Sequence, residues 1–480
     1  MKTIRVNDID ILAYSSASTK LKSSFLVEGL LILLALIAGA YIHFNTPEIV
    51  SFILQCVILF FYFRSQKNYL WVFLLLFISF SPGGLYGRDM PLNFFSFPGL
   101  GVVTFSIAFI LVTWLKVFKK KVPVAYRNSF LALVAYFIIL IPIFGIYNVA
   151  GFIKGLIFFS WLLALPRLLV TGKEFDKLFF LIFLANILVF IFNSYEVFTG
   201  RVFSSLITGE GFIRRWDPDQ LVRTIYGITF AHLAVVGGLL YLNKAKKVMH
   251  PLLPYSGVIL GVLNIIFSGS RGWILATFFL LVTFTFFMIP RVLKNIYIFI
   301  PIFGITFFVA WNTPYVHNQI TGAYDRILHR EYLLDLNPDT TEIGRVQRGE
   351  RVMGKFRESP ILGFGFSEEG REFTDSHTGN QSLLLYFGII GYILFLNFWF
   401  GFLKKVLSTD QLLKPKNPEF RINVLITLSF LSIFIIASTS NAALHPFIAT
   451  GGALWYGLIF AYGNYLYYNQ KKQNNRLHDK

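Results

Sequence analysis

Charge is scarce in this 480-residue chain, at 14% of residues, where a soluble domain carries about 25%. So little charge cannot clothe a water-facing surface, and this excludes an ordinary soluble globular protein. Cysteine is nearly missing: Cys56 is the single one, so no internal disulfide can form and the redox compartment cannot be read from it. Acidic residues are few, 25 against 43 Lys and Arg. No Asp-x-Asp nucleotide-sugar motif lies in a cytoplasmic loop between spans, and no His, Asp or Glu cluster has metal-ligand spacing. No cofactor and no metal is therefore expected. Repeats of fixed period, low-complexity stretches and the short alternating strands of a barrel are also missing.

What is present is apolar. Hydrophobic residues make up 55% of the chain, and 55 residues are Phe. They fall in runs, most of them long enough to cross a hydrocarbon core of about 30 Å. The candidate spans are 25–44, 48–63, 69–82, 99–117, 128–147, 150–168, 176–196, 222–242, 252–269, 271–289, 296–311, 381–402, 421–440 and 447–467. The expected fold class is an all-α polytopic integral membrane protein of about 14 transmembrane helices. The third run is short. The N-terminal 24 residues are polar and mixed, so no cleavable signal peptide is expected.

With the N-terminus in the cytoplasm, the loops alternate and most of the 43 basic residues fall inside. Lys116 to Lys121, Lys244 to Lys247, Lys404, Lys405 and the tail from Lys471 are examples. This is the positive-inside bias of short loops, and it explains the net charge of +18 without nucleic acid. It places both termini in the cytoplasm. The organisation expected is 1–311 as eleven helices with short loops, 312–380 as one large outer loop, and 381–480 as three helices and a tail.

The remaining basic residues run against that bias, and most are Arg. They include Arg88, Lys154, Arg201, Arg214, Arg215, Arg223, Arg271 and several in 326–371. Arg271 stands between two apolar runs in Ser268-Gly-Ser270-Arg271-Gly272. An arginine at membrane depth costs several kcal/mol unless paired or wet, so this position is a functional candidate. An anionic lipid-linked substrate would give it a reason to exist.

In the outer loop, 341–358 reads as a helix with Thr341 as N-cap and Pro360 as its stop. Arg345, Arg348, Arg351 and Lys355 share one side of it, and Val346, Val352, Met353 and Phe356 form an apolar side. The basic ridge is either a solvated or headgroup-lying face or a phosphate clamp, since arginine forks grip phosphate oxygens bidentately. Pro360, Gly363 and Gly365 then make a turn whose backbone can approach a ligand closely. Asp375-Ser-His377-Thr378 follows, just before a span. His377 can take a proton from a sugar hydroxyl, with Asp375 as a candidate orienter. His43, His317, His329 and His445 are read without chemistry.

In order, these are a span ending in Ser-x-Ser-Arg-Gly, Gly344-Arg345 before Pro360-Ile-Leu-Gly363-Phe-Gly365, and His377 eleven residues before Gly388-Ile-Ile-Gly391. The set resembles the O-antigen ligase and O-antigen polymerase superfamily of bacterial envelope glycosyltransferases. The matching positions are Ser268, Ser270, Arg271, Gly272, Arg345, Gly363, Gly365 and His377. One departs: Thr378 stands where the family has Asn.

The resemblance implies a GT-C-like, metal-independent transfer of a glycan from an undecaprenyl-pyrophosphate-linked oligosaccharide. Transfer would occur at the periplasmic face of the bacterial inner membrane. It implies Arg271 and Arg345 on the pyrophosphate and His377 on the acceptor hydroxyl. Ser268, Ser270, Arg348, Arg351, Gly363, Gly365 and Asp375 complete the expected site. Arg214 and Arg215 are candidates for the second substrate's phosphate or for interfacial anchors. The acceptor is a second lipid-linked glycan in a polymerase, or lipid A-core in a ligase. Fourteen spans lean toward polymerase. Membrane lipids and a chain-length regulator are the other expected partners. A transporter of the same lipids would favour ionisable groups deep in spans, and Glu28 is the acidic one noted there.

Overall fold

The computed structural model describes residues 48–79, 93–97, 101–199, 227–244, 248–268, 270, 272–285, 312, 321, 342–374, 378–407, 418–439 and 452–478. Helices dominate. In chain order they are α1 Glu48–Arg64, α2 Asn68–Ser79, α3 Phe105–Val117, α4 Arg127–Phe144, α5 Val149–Leu168, α6 Gly172–Thr199, α7 Ile228–Asn243 and α8 Leu252–Phe267. Then come α9 Gly272–Thr285 and α10 Glu342–Phe356, α11 Glu368–Phe373, α12 Asn380–Leu407, α13 Pro418–Thr439 and α14 Gly452–His478. Each expected apolar run coincides with one of these helices except 25–44 and 296–311, which lie outside the described residues. A short antiparallel hairpin, β1 Asn93–Phe97 with β2 Gly101–Thr104, occupies the start of the run read as 99–117. Gly101, Val102, Val103 and Thr104 are extended there, and the helix begins only at Phe105.

Local chemistry sets the helix ends. Thr171 and Glu174 form a reciprocal box at the start of α6: Glu174 N donates to Thr171 Oγ1 (3.3 Å) and Thr171 N donates to Glu174 Oε2 (3.1 Å). Asn148 caps α5 by accepting from Gly151 N at 2.8 Å. Lys116 Nζ donates to the carbonyls of Tyr62 and Ser65 at the C-terminus of α1, where a cation suits the helix dipole. Pro166 lies inside α5 and cannot donate to the carbonyl four residues back. That carbonyl, of Leu162, accepts instead from the Tyr126 hydroxyl at 2.6 Å. In an apolar surround such a replacement partner is required.

Packing follows from ring chemistry and small residues. Tyr126, Phe398, Phe402, Phe430 and Phe460 are buried together, and Phe398 stacks on Phe460 with centroids 5.2 Å apart. On α8, Gly257-x-x-x-Gly261 faces α7. A Cβ on Gly261 would stand 2.8 Å from Ala231 O, and one on Gly257 would stand 3.0 Å from Ala234 O. The two backbones thus approach as small-xxx-small pairs allow in membranes. At the far end of α7, Lys244 pairs with Asp176 of α6 at 2.6 Å, and the Tyr241 hydroxyl donates to the same carboxylate at 2.7 Å.

Candidate active site

The site was expected from three segments: the α8–α9 junction, the helix of the outer loop, and the turn leading to the mouth of α12. At the junction, Ser268 is fully buried and Ser270 half-buried. The Ser268 hydroxyl donates to Ile265 O (2.6 Å) and accepts from Ser270 N (3.2 Å). Ser270 O accepts from Ile274 N at 3.0 Å and so opens α9. The Ser268 hydroxyl and the Ser270 backbone therefore bind the ends of α8 and α9 together. One turn before, Asn264 joins α8 to α6: its amide oxygen accepts from Asn193 (2.9 Å) and its amide nitrogen donates to Asn186 Oδ1 (3.0 Å). Arg271 lies outside the described residues.

The helix expected at 341–358 is α10. Its apolar side is buried at Val352 and Phe356, packed with Phe364 and Leu385, with Met353, Phe373 and Leu384 at the edge; the side chain of Val346 lies outside the described residues. The basic side divides. Lys355 Nζ is 2.6 Å from Glu358 Oε2 and 3.4 Å from Glu369 Oε2, and it sits over the rings of Phe364 and Phe373. The Glu358 hydrogen bond holds its ammonium above the ordinary lysine range. Lys355 thus ties α10 to α11. Arg351 keeps a side chain 56% exposed, with its guanidinium 4.9 Å from the Phe373 ring centre. Arg348 is half-buried. The side chain of Arg345 and the cap Thr341 lie outside the described residues.

The turn approaches a backbone, and that backbone is α12. Helix α12 is broken at Gly388, where φ is 62° and ψ −172°. The carbonyls freed before the break accept from the turn: Leu385 O from Phe364 N (2.9 Å) and Tyr386 O from Gly365 N (2.8 Å). Ile389 N after the break donates to Pro360 O at 2.9 Å, and Ile390 N donates to Ile361 O at 3.3 Å. The Tyr136 hydroxyl of α4 donates to Phe387 O at 2.8 Å. Gly363 and Gly365 have φ of 73° and 56°, the left-handed region that glycine tolerates. A Cβ on Gly363 would stand 2.5 Å from Gly388 N. In this structure the Gly-x-Gly turn and the Gly388 break are therefore one backbone crossing. The turn expected to approach a ligand closely packs against the backbone of α12.

Further contacts pin this unit. Tyr147 N donates to Phe366 O at 2.8 Å, the Phe366 ring packs on Phe152 and Phe387, and Arg371 lies 4.2 Å over the Tyr147 ring. Gly349 of α10 abuts Gln381 of α12, where a Cβ would meet Oε1 at 2.9 Å. Thr378 Oγ1 lies 2.6 Å from Ser382 Oγ in the first turn of α12. Asp375 and His377 lie outside the described residues, as do Arg214 and Arg215.

Two groups result. Arg348, Arg351, Gly363 and Gly365 belong to one packed unit of α10, α11 and the N-terminal half of α12; Ser268 and Ser270 belong to a second, with α6 and α8. Four participants went unread in the sequence: Glu358, Glu369, Tyr136 and Asn264. The acids that engage Lys355 had one visible signal, the i,i+3 spacing to Glu358; Glu369 had none. Tyr136 and Asn264 looked like ordinary span residues. No cluster of three metal-ligating side chains occurs among the described residues.

Among the described residues, four helices are long and apolar enough to cross a membrane: Arg127–Phe144, Val149–Leu168, Gly172–Val197 and Asn380–Leu407. With the shorter apolar helices around them they define a helical integral membrane protein. Residues 256–396 match the family described as O-antigen ligase. Over that stretch the match supports the O-antigen polymerase and ligase superfamily. The stretch contains the α8–α9 junction, α10 and the whole backbone crossing. It supports a polymerase- or ligase-type glycosyltransferase. No curated protein matches the chain.

Proposed function

We propose that the chain is an O-antigen polymerase-like glycosyltransferase of the bacterial inner membrane, acting at the periplasmic face without a metal. The observation that carries this is the family match over 256–396, which spans all three catalytic candidates, Arg271, Arg345 and His377. Geometry adds support. Gly349 stands four residues past Arg345, Gln381 stands four residues past His377, and the two abut. The segments bearing the second arginine and the histidine thus lead into one packed unit.

In this reading the oxygen of an acceptor sugar hydroxyl attacks the anomeric carbon of the donor glycan. The new glycosidic C–O bond forms as the bond to pyrophosphate breaks, inverting the configuration. His377 takes the hydroxyl proton. The leaving electron pair stays on the undecaprenyl pyrophosphate, held by Arg271 and Arg345, with Arg348 and Arg351 on the approach. Asp375 orients His377. Ser268 and Ser270 set the turn that presents Arg271, and Gly363 and Gly365 act through the crossing that holds α12. Arg214 and Arg215 take the phosphate of the second lipid-linked glycan. The fourteen-span topology with both termini in the cytoplasm belongs to the same proposal, as do the outer loop 312–380 and a chain-length regulator as partner.

A deletion strain's lipopolysaccharide gel is the test. One repeat unit on the core identifies a lost polymerase. Bare core with long lipid-linked glycan identifies a ligase, the second reading. An unchanged ladder overturns both. Arg271→Ala, Arg345→Ala and His377→Ala should each abolish complementation with membrane insertion intact. A fully active Arg271→Ala enzyme would remove the pyrophosphate clamp.

A further inference from the structure

Helix α7 carries a fully buried imidazole that plays no part in the proposed transfer, His232. Each ring nitrogen meets a hydroxyl from a different helix. Nδ1 lies 3.2 Å from Thr277 Oγ1 of α9, and Nε2 lies 3.1 Å from Ser432 Oγ of α13. Ser432 donates its own proton to Ser429 O at 2.8 Å. Its oxygen is therefore the acceptor toward the imidazole, which assigns the ring proton to Nε2. Nδ1 is left to accept from the Thr277 hydroxyl. Two indoles flank the ring: Trp273 of α9 at 5.5 Å between centroids and Trp455 of α14 at 6.1 Å, themselves 5.2 Å apart.

Two of these four contacts come from the opening turns of α9. Trp273 lies in its first turn, and Thr277 is one turn on. The first backbone bond of α9 runs from Ile274 N to Ser270 O, and Ser270 N in turn donates to the Ser268 hydroxyl. A continuous path of contacts therefore leads from Ser432 through His232 to the α8–α9 junction. Histidine suits this post. Its two nitrogens serve hydroxyls on opposite sides of a flat ring, and its aromatic edges meet the indoles; phenylalanine would fill the space and lose both hydrogen bonds.

We propose that His232 is a positioning residue: with Thr277 and Ser432 it fixes the start of α9, and so the Ser268–Gly272 junction. The consequence for transfer rests on the reading that this junction holds the donor pyrophosphate.

Cys56 is the single cysteine, so a Cys56→Ala, Ser270→Cys background gives one reporter thiol at the junction. In purified protein, His232→Ala and His232→Phe should raise the maleimide labelling rate about tenfold, as the loss of one to two hydrogen bonds implies. His232→Gln, which can serve both hydroxyls, should stay within about twofold of the background. Separately, in the Cys56→Ala protein with Ser270 intact, kcat for glycan transfer should fall up to about 100-fold in His232→Ala and His232→Phe. The KM for acceptor should hold, and Gln should restore the rate. Unchanged labelling in the Ala and Phe variants overturns the proposal, even where their melting temperature falls, because that pattern is helix glue alone. If His232→Ala fails to accumulate, Thr277→Val carries the same labelling criterion. If the unmutated protein transfers no glycan, the functional reading fails while the labelling result still decides the positioning role.

Discussion

Replacing Gly388 by alanine should break the crossing between the turn and α12. Its φ of 62° with ψ of −172° is a conformation that costs a residue with a Cβ about 1–3 kcal/mol. The new methyl would also stand 2.5 Å from Gly363 N, well inside the roughly 3.5 Å at which heavy atoms rest. The turn must retreat. That sacrifices the bonds from Ile389 N to Pro360 O, Ile390 N to Ile361 O and Phe364 N to Leu385 O, each with a net value of about 1 kcal/mol. The sum, roughly 4–6 kcal/mol, is a large part of a typical total stability of about 5–15 kcal/mol. Melting of the detergent-solubilised protein is the assay. Gly354→Ala on α10 is the control: a Cβ there meets nothing within 4 Å, and a helix interior gains up to about 1 kcal/mol from the change. Gly363→Ala should resemble Gly388→Ala, and the double variant should cost less than the sum, because both remove one contact. A Gly388→Ala protein that melts within about 2 °C of the unmutated one would refute the argument.

Other outcomes are expected. Tyr136→Phe removes the hydroxyl that donates to Phe387 O at 2.8 Å; it should destabilise by about 1–3 kcal/mol, and an unshifted melting curve would count against a role for that bond. The Lys355 ammonium is raised by its bond to Glu358, so the α10–α11 tie is fully present below the ordinary lysine pKa and lost as pH rises through the higher folded value. From neutral pH upward, proteolysis between α10 and α11 should accelerate only in that alkaline window; acceleration between neutral pH and that window would contradict the sign. Glycan transfer should persist in excess EDTA, and loss reversed by a divalent cation would defeat the metal-free mechanism.

Much of the helical framework was legible because apolar runs and turn residues act locally. Runs such as 128–147, 150–168 and 381–402 lie within a few residues of α4, α5 and α12, and the two-sided character of α10 followed from its periodicity. What escaped was non-local. Glycines 363 and 365 announced a close backbone approach, but nothing in the order of residues told that turn that its partner was a break at Gly388. Lys355 looked like one more cation on a ridge because Glu369 reaches it only through the fold. His232 was hidden among apolar neighbours on α7, since its two hydroxyls come from residues 45 and 200 positions away. The second strand, Gly101–Thr104, was absorbed into the run 99–117 because Val102 and Val103 are as apolar as the helix that follows.

The break in α12 also sets an order of assembly. From Ile389 to Leu407 is a helix of about 28 Å at 1.5 Å per residue, enough by itself to cross the hydrocarbon, with Lys404 and Lys405 at its end. The preceding stretch, Asn380 to Phe387, leaves the carbonyls of Leu385 and Tyr386 to be met by Phe364 and Gly365, which leave the ribosome first. In a nascent chain the turn therefore waits unpaired until the following helix has emerged. Placement of that helix and closure of the turn then become a single event, and a defect in the turn would surface as a failure of biogenesis before any failure of catalysis.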